Sequence, residues 1–362
     1  MAKKVTVIYN PRIHVSRILT GLRILENKGL LCVSFVENIG NIFNLPQGPI
    51  VEVQVDGIKL AFDMGDRWAL CDEQGKEYLE RVDYYFARDY STKTDIVTPE
   101  TFMDNPKVQP FGLYYYVTYP NNPLDKTPKG VKNRIKKLSK DIIGYNNIYY
   151  PSSFESGAIE KNKNMKIIFM TRLWNTNEFD SAKKRNISKK RRDYIDYLCE
   201  ERNQINQRRI EIMRRLKLEY GSTFIGGMFD DDLSRAICPD LIASNDKTRK
   251  KSYMKKLALA DIGIGTTGLH RSIGGKIGEY VAASKAIVTE KLEYEVPGQF
   301  EEGKNYLSFK TEDECVGALN YLLNNPELVF SMKKANEKYY KEYVNPEIQV
   351  MNALQIAGVE FF

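Results

Sequence analysis

Twice along this chain a short apolar run opens a series in which strand-like and helix-like segments alternate. The first run is at residues 4–10, closed by Asn10-Pro11, and the second is at 165–170, which leads straight into Thr171-Arg172-Leu173-Trp174. Such alternation predicts an α/β fold, because the helices must cover the faces of a sheet. In the first series, Ile18, Leu19, Leu22 and Leu25 recur at helical spacing ahead of Gly29, and residues 31–36 read as a strand. Residues 50–55 and 58–62 flank Asp56-Gly57, a hairpin turn signal, and 82–86 and 113–117 read as further strands. In the second, a helix over 188–220 closes at Gly221, and strands at 223–225, 261–264 and 286–289 alternate with helices at 253–260 and 276–284. Two more helices are expected at 311–323 and 326–343. Two starts in 362 residues suit two domains of ~100–200 residues each. The polar stretch 152–164 separates them, giving 1–160 and 161–345.

Composition removes several classes. At 42% hydrophobic and 11% aromatic the chain is globular. No apolar run approaches the ~18 residues of a membrane span, and the run after Met-Ala-Lys-Lys is too short for a signal peptide. Cys32, Cys71, Cys199, Cys238 and Cys315 are scattered with no CxxC pair, as expected of buried thiols in a cytoplasmic protein. His14 and His270 are the only histidines, too few for zinc chemistry. The net charge of +7 favours an anionic partner without naming it.

The stretch 261–290 is the most informative. Its strand ends in a loop with Gly265, Gly268, Gly274 and Gly275 that feeds a helix. Glycines allow close backbone approach, and a helix N-terminus offers N–H groups to an anion, so a phosphate or diphosphate suits the geometry. Glu279, near the first turn, would reach past the phosphates to vicinal hydroxyls such as a ribose offers. Lys276 and Arg271 add positive charge nearby. The alternative is a plain βα connection whose acid complements the helix dipole. No GxxxxGK[ST] is present, and the loop does not follow the first strand as a dinucleotide fingerprint would.

The residues Gly275, Lys276, Glu279-Tyr280, Ala282, Ala286-Ile287-Val288, Pro297-Gly298 and Gly303-Lys304-Asn305-Tyr306 resemble the donor-binding half of GT-B glycosyltransferases. The resemblance is strongest over 261–309 and implies two facing Rossmann-like domains with a cleft between them. It also implies that residues 346–362 form a tail packing back on the first domain. It implies sugar transfer from a nucleotide-sugar donor, with no metal and no cofactor beyond that co-substrate. Glu279 would bind the ribose, and the loop carrying Arg271, Ser272, Gly274, Gly275 and Lys276 would hold the diphosphate. Arg172 would stabilise the departing nucleoside diphosphate, where bond cleavage loads negative charge. One departure is Arg271, which stands where retaining bacterial members carry a second Glu eight residues before the ribose-binding one.

An inverting transfer needs a base from the first domain. His14 follows the first strand, Asp63 and Asp66 follow the strand at 58–62, and Asp89 follows the strand at 82–86; Asp66 and His14 are favoured. The turn Asp230-Asp231-Asp232 is either a divalent-metal site or a helix cap. Residues 183–217 hold thirteen Lys/Arg against five Asp/Glu, and 126–140 is also basic, with Val131, Ile135 and Leu138 at helical spacing. These charges suit a solvated face, an anionic membrane surface or nucleic acid. The expected reading is a cytoplasmic enzyme, peripheral to the inner face of the membrane, acting on a glycan or lipid-linked acceptor in polysaccharide assembly. Two alternatives keep the fold: sugar transfer to modified DNA bases, or a non-catalytic nucleotide-binding module.

Overall fold

The β-branched run near the N-terminus forms strand β1 (Lys3–Tyr9), and the amphipathic segment after it forms helix α1 (Ser16–Asn27). The computed structural model to which these belong describes residues 2–66, 73–92, 105–125, 135, 139, 146–161, 163–179, 187–243 and 249–361. Helix α1 ends where Gly29 takes φ +73, letting Leu30 N–H reach back to the Leu25 carbonyl at 3.1 Å. Strands β2 (Leu31–Glu37), β3 (Ile50–Val55), β4 (Ile58–Asp63), β5 (Tyr84–Ala87) and β6 (Val108–Pro110) complete a six-stranded sheet in the order β2-β1-β3-β4-β5-β6. The Asp56-Gly57 turn, with φ of 51 and 81, folds β3 back against β4. Strand β3 therefore runs antiparallel between β1 and β4, while the other neighbouring pairs are parallel. Period-two alternation divides the side chains. Val5, Val7 and Tyr9 meet α1 on one face, and Ile8 meets Leu45, Tyr78 and Leu79, on and beside α2 (Glu73–Glu80), on the other.

Residues 113–117 are not a strand. They are an extended crossing whose apolar side chains are buried by the second domain instead of by a sheet neighbour. Tyr115 lies edge-on to Phe154 of the short helix α3 (Pro151–Phe154) with ring centroids 5.0 Å apart, and Leu113, Tyr115 and Val117 share a core cluster with Ile277 and Val281.

The second sheet contains β7 (Ile167–Thr171), β8 (Phe224–Met228), β9 (Ile262–Gly265), β10 (Ala286–Glu290) and β11 (Leu307–Phe309), all parallel, in the order β11-β10-β9-β7-β8. The direction of winding reverses between β7 and β9, so the loops leaving those strands diverge and open a crevice. The connections are α4 (Lys189–Tyr220), capped by Ser188, then α5 (Asp232–Ile237), α6 (Arg249–Leu259) and α7 (Gly275–Ala282). Helices α8 (Glu312–Asn324) and α9 (Pro326–Tyr339) follow, then a π turn at Tyr340–Val344 and α10 (Pro346–Ile356). Helix α10 packs on α1 of the first domain, where the buried Arg17 donates from Nε to Gln349 Oε1 at 2.5 Å. On the cleft side, Arg88 Nη2 donates to the Ile273 carbonyl at 3.0 Å, and Tyr90 bridges to Glu295.

Candidate active site

A cavity of about 1150 Å³ lies between the domains, at the carboxyl ends of β7 and β9. Thr171 at the end of β7 and Arg172 just after it, with Thr266, Gly268, Ser272, Gly274, Gly275, Lys276 and Glu279 from β9 through α7, form much of its second-domain wall. His14, Asp66, Arg88 and Tyr114 face them from the first domain. Of the residues singled out from sequence, the fold thus gathers His14, Asp66, Arg172, Ser272, Gly274, Gly275, Lys276 and Glu279 into one site. Arg271 is different: it is exposed, with φ +58, and is not part of the cavity wall. The 3-10 turn Leu269–Arg271 carries it away from the loop's inner side, so a phosphate role on that wall does not fit its position.

Glu279 is the best-determined group. Its carboxylate accepts from Lys250 Nζ at 3.0 Å, Lys276 Nζ at 2.8 Å and Tyr253 Oη at 2.5 Å. Burial by itself would push this carboxyl up, but the two ammonium groups and the tyrosine bond hold it down at about 2. The same burial lowers Lys276 and raises the Tyr253 phenol. The Lys276 ammonium also lies 3.6 Å from the centre of the Tyr253 ring. Lys250 and Tyr253 belong to α6, and nothing in their local sequence marks them. Their only early signal is an i, i+3 spacing on a helix that precedes β9.

The loop over the crevice is pinned from below. Arg209 of α4, 7% exposed, donates to Thr266 Oγ1 at 3.0 Å, to the Arg172 carbonyl at 2.8 Å and to the Thr267 carbonyl at 3.2 Å. Burial lowers this guanidinium to about 10. Glu290 at the end of β10 accepts from Thr267 N–H at 2.6 Å and Thr267 Oγ1 at 2.9 Å. Arg209 lies in the basic run, yet Ile195, Leu198, Arg202, Asn206, Arg209, Met213 and Leu216 form a single buried stripe. Its place on that apolar stripe was the legible clue that this cation turns inward.

On the facing wall, burial lowers the His14 imidazole, with Arg88 and Arg172 adding to the effect and Asp66 opposing it. The ring is therefore neutral near pH 7 and able to accept a proton. Asp66 is engaged by Arg88 Nη1 at 2.6 Å. Arg88 is buried, and its guanidinium lies 5.1 Å from the centre of the Tyr114 ring. Asp63 accepts from Tyr85 Oη at 2.7 Å and Gly65 N–H at 2.9 Å, and Asp89 is buried, its carboxyl raised by desolvation; neither lines the cavity.

The three carboxylates of the aspartate turn are taken up locally. Asp230, on the cavity wall, pairs with Arg235 at 2.7 Å, the exposed Asp232 reaches the same Arg235 at 3.4 Å, and Asp231 caps α5 by accepting from Ser234 N–H at 2.8 Å. Among the described residues no group of three or more His, Cys, Asp or Glu is placed to hold a metal ion, and no helix is long and apolar enough to cross a membrane. The basic stretch 126–140 falls almost wholly outside the described residues, as do Cys71 and residues 183–186.

No family model matches this chain, and no curated protein matches it. Solved structures to which it is similar include S. aureus MnaA in a co-structure with UDP, at 12% identity over 99% of this chain and 98% of that one, with a TM-score of 0.44. Another is a glycosyltransferase from Rickettsia africae ESF-5, at 13% identity, covering 96% and 81%, with a TM-score of 0.40. A third is Anabaena Alr3699/HepE in complex with UDP, at 10% identity, covering 99% and 100%, with a TM-score of 0.40. These likenesses are distant. The strand orders and the cleft show two α/β domains facing one another across a crevice.

Proposed function

We propose that this chain transfers a sugar from a nucleotide-sugar donor to a hydroxyl of a glycan or lipid-linked glycan acceptor. The observation that carries the reading is the Glu279 carboxylate, buried and ionised on the cavity wall, about one helical turn from the glycine-flanked start of α7. Of the roughly four acceptor positions of a carboxylate, Lys250, Lys276 and Tyr253 take three, and the fourth is left for a ribose hydroxyl. The first N–H groups of α7, with Lys276 and Arg172, supply the positive field a diphosphate needs.

In this reading the bond between the anomeric carbon and the diphosphate oxygen breaks, and its electron pair stays on the phosphate. Arg172 and the α7 N-terminus meet that charge. The acceptor oxygen attacks the anomeric carbon and gives its proton to the neutral His14 ring. Asp66 is committed to Arg88, so it serves to hold Arg88 and tune His14 instead of taking the proton. A single displacement of this kind inverts the anomeric centre.

The test is a thermal-shift panel of nucleoside diphosphates in EDTA, on the wild type and Glu279→Gln. A ligand at about a hundred times its Kd stabilises by ~2.7 kcal/mol, which is easily resolved. One diphosphate should shift the wild type and lose most of that shift in the variant. His14→Gln should keep the shift but lower turnover by about 10²–10⁴-fold. If no nucleotide shifts the wild type, with or without Mg²⁺, the reading is wrong.

A further inference from the structure

The loops that leave β1 and β2 are built inside out. They emerge side by side, because the parallel register places Tyr9 opposite Glu37. Their asparagines turn inward: Asn10 Nδ2 donates to the Pro46 and Gly48 carbonyls at 3.0 and 2.9 Å, and Asn38 Nδ2 to Asn10 Oδ1 and Asn41 Oδ1 at 2.7 and 2.8 Å. Asn38 Oδ1 accepts from Phe43 N–H at 3.2 Å. Their isoleucines turn outward, with Ile13, Ile39 and Ile42 exposed by 58%, 69% and 70%. In a chain that is 28% charged, residues 10–14 and 38–48 contain no carboxylate, Glu37 standing below them at the end of β2, and Arg12 is their only charged side chain.

Single exposed isoleucines are ordinary. Three on adjacent loop tips, above polar groups already satisfied within the loops, are not what contact with water selects. A segment that enters the boundary between lipid headgroups and acyl chains must satisfy its own polar groups, present apolar tips and carry no anion. We propose that this isoleucine rim docks on the surface of an anionic bilayer. The exposed Arg12 on the same rim supplies the matching sign. Because His14 adjoins Ile13 and lines the cavity, docking sets the mouth of the cleft against the lipid surface. The docking surface stands on the loops alone; only its use in delivering a lipid-linked acceptor to His14 rests on the sugar-transfer reading.

Co-sedimentation of the full chain with phosphatidylcholine vesicles, pure or containing one quarter phosphatidylglycerol, tests it. The wild type should partition onto the anionic vesicles, and Ile39→Ser/Ile42→Ser should weaken that partition about tenfold per isoleucine. Leu218→Ser, at an 80% exposed position on α4, should partition as the wild type does. Failure of the wild type to bind, or binding unchanged in the double variant, would overturn the proposal. So would a vesicle-free wild-type dimer that the double variant breaks, since the rim would then be a contact between copies. An unchanged urea midpoint in the double variant shows that it folds. The nucleotide thermal shift, which these substitutions should leave intact, judges the cavity separately.

Discussion

Replacing Gly278 by alanine tests whether the seat of α7 on the interdomain crossing sets the geometry of the proposed nucleotide site. A Cβ at this position would lie 2.2 Å from the Tyr114 carbonyl oxygen, 2.7 Å from its carbonyl carbon and 3.2 Å from Tyr115 Cβ. Two of these are backbone atoms of a buried segment, so no flexible side-chain tip can swing aside. The shortest contact has to lengthen by about 0.8 Å before it becomes tolerable, and overpacking of this kind costs ~1–3 kcal/mol. Alanine returns up to ~1 kcal/mol of helix propensity. The clash wins, for a net loss of about 1–2 kcal/mol. Gly317 on the exposed face of α8 is the opposite case: a Cβ there meets nothing within 4 Å, so Gly317→Ala should gain ~0.5–1 kcal/mol. Urea unfolding followed by circular dichroism should show the two midpoints moving in opposite directions. Titration calorimetry with whichever diphosphate the thermal-shift panel identifies should show about tenfold weaker binding for Gly278→Ala, since Lys276 and Glu279 move with the helix, and no change for Gly317→Ala. A Gly278→Ala protein as stable and as tight-binding as the wild type would refute the reasoning.

Three further outcomes are expected. Glu279 titrates lower folded, at about 2, than its ordinary 4.5; its contribution is therefore complete above pH 4.5 and fades as pH falls toward 2. That contribution is on the order of 3 kcal/mol, and Glu279→Gln should flatten the stability profile across this window in urea titrations. Arg209→Met leaves Thr266 Oγ1 and the Arg172 and Thr267 carbonyls without their donor, so diphosphate affinity should fall ~10–100-fold. Arg209→Lys, which keeps the charge but not the fork, should recover only part of it in the same calorimetry. Asp261 accepts from Lys333 Nζ at 3.0 Å and Lys161 Nζ at 3.1 Å, with the Lys333 side chain 2% exposed; Asp261→Asn removes the buried counter-charge, leaves Lys333 only neutral acceptors such as the Ile159 carbonyl at 2.6 Å, and should cost ~3–5 kcal/mol by urea unfolding.

Local order was legible because local forces write it. The period of the apolar residues, the Asp56-Gly57 turn, the Ser188 cap and the glycines around α7 each act within a few residues, and each produced the expected element. Glu279, Lys276 and the glycines before them share one loop and one helix, so their convergence also followed from spacing. Tertiary structure decided the rest. An apolar run at 113–117 reads as a strand from its pattern, but burial is satisfied equally by a crossing packed between two domains. Pattern does not distinguish those partners. Arg271 stands three residues after Gly268 and three before Gly274, yet one 3-10 turn sends it outward. Arg209 comes 70 residues before Glu279 and Arg88 nearly 200, and both reach the site only because strand order sets β7 beside β9 and the first domain packs its β5 end across the cleft from them. Side-chain charge is written in the sequence; which charge faces which is set by burial, and burial belongs to the assembled fold.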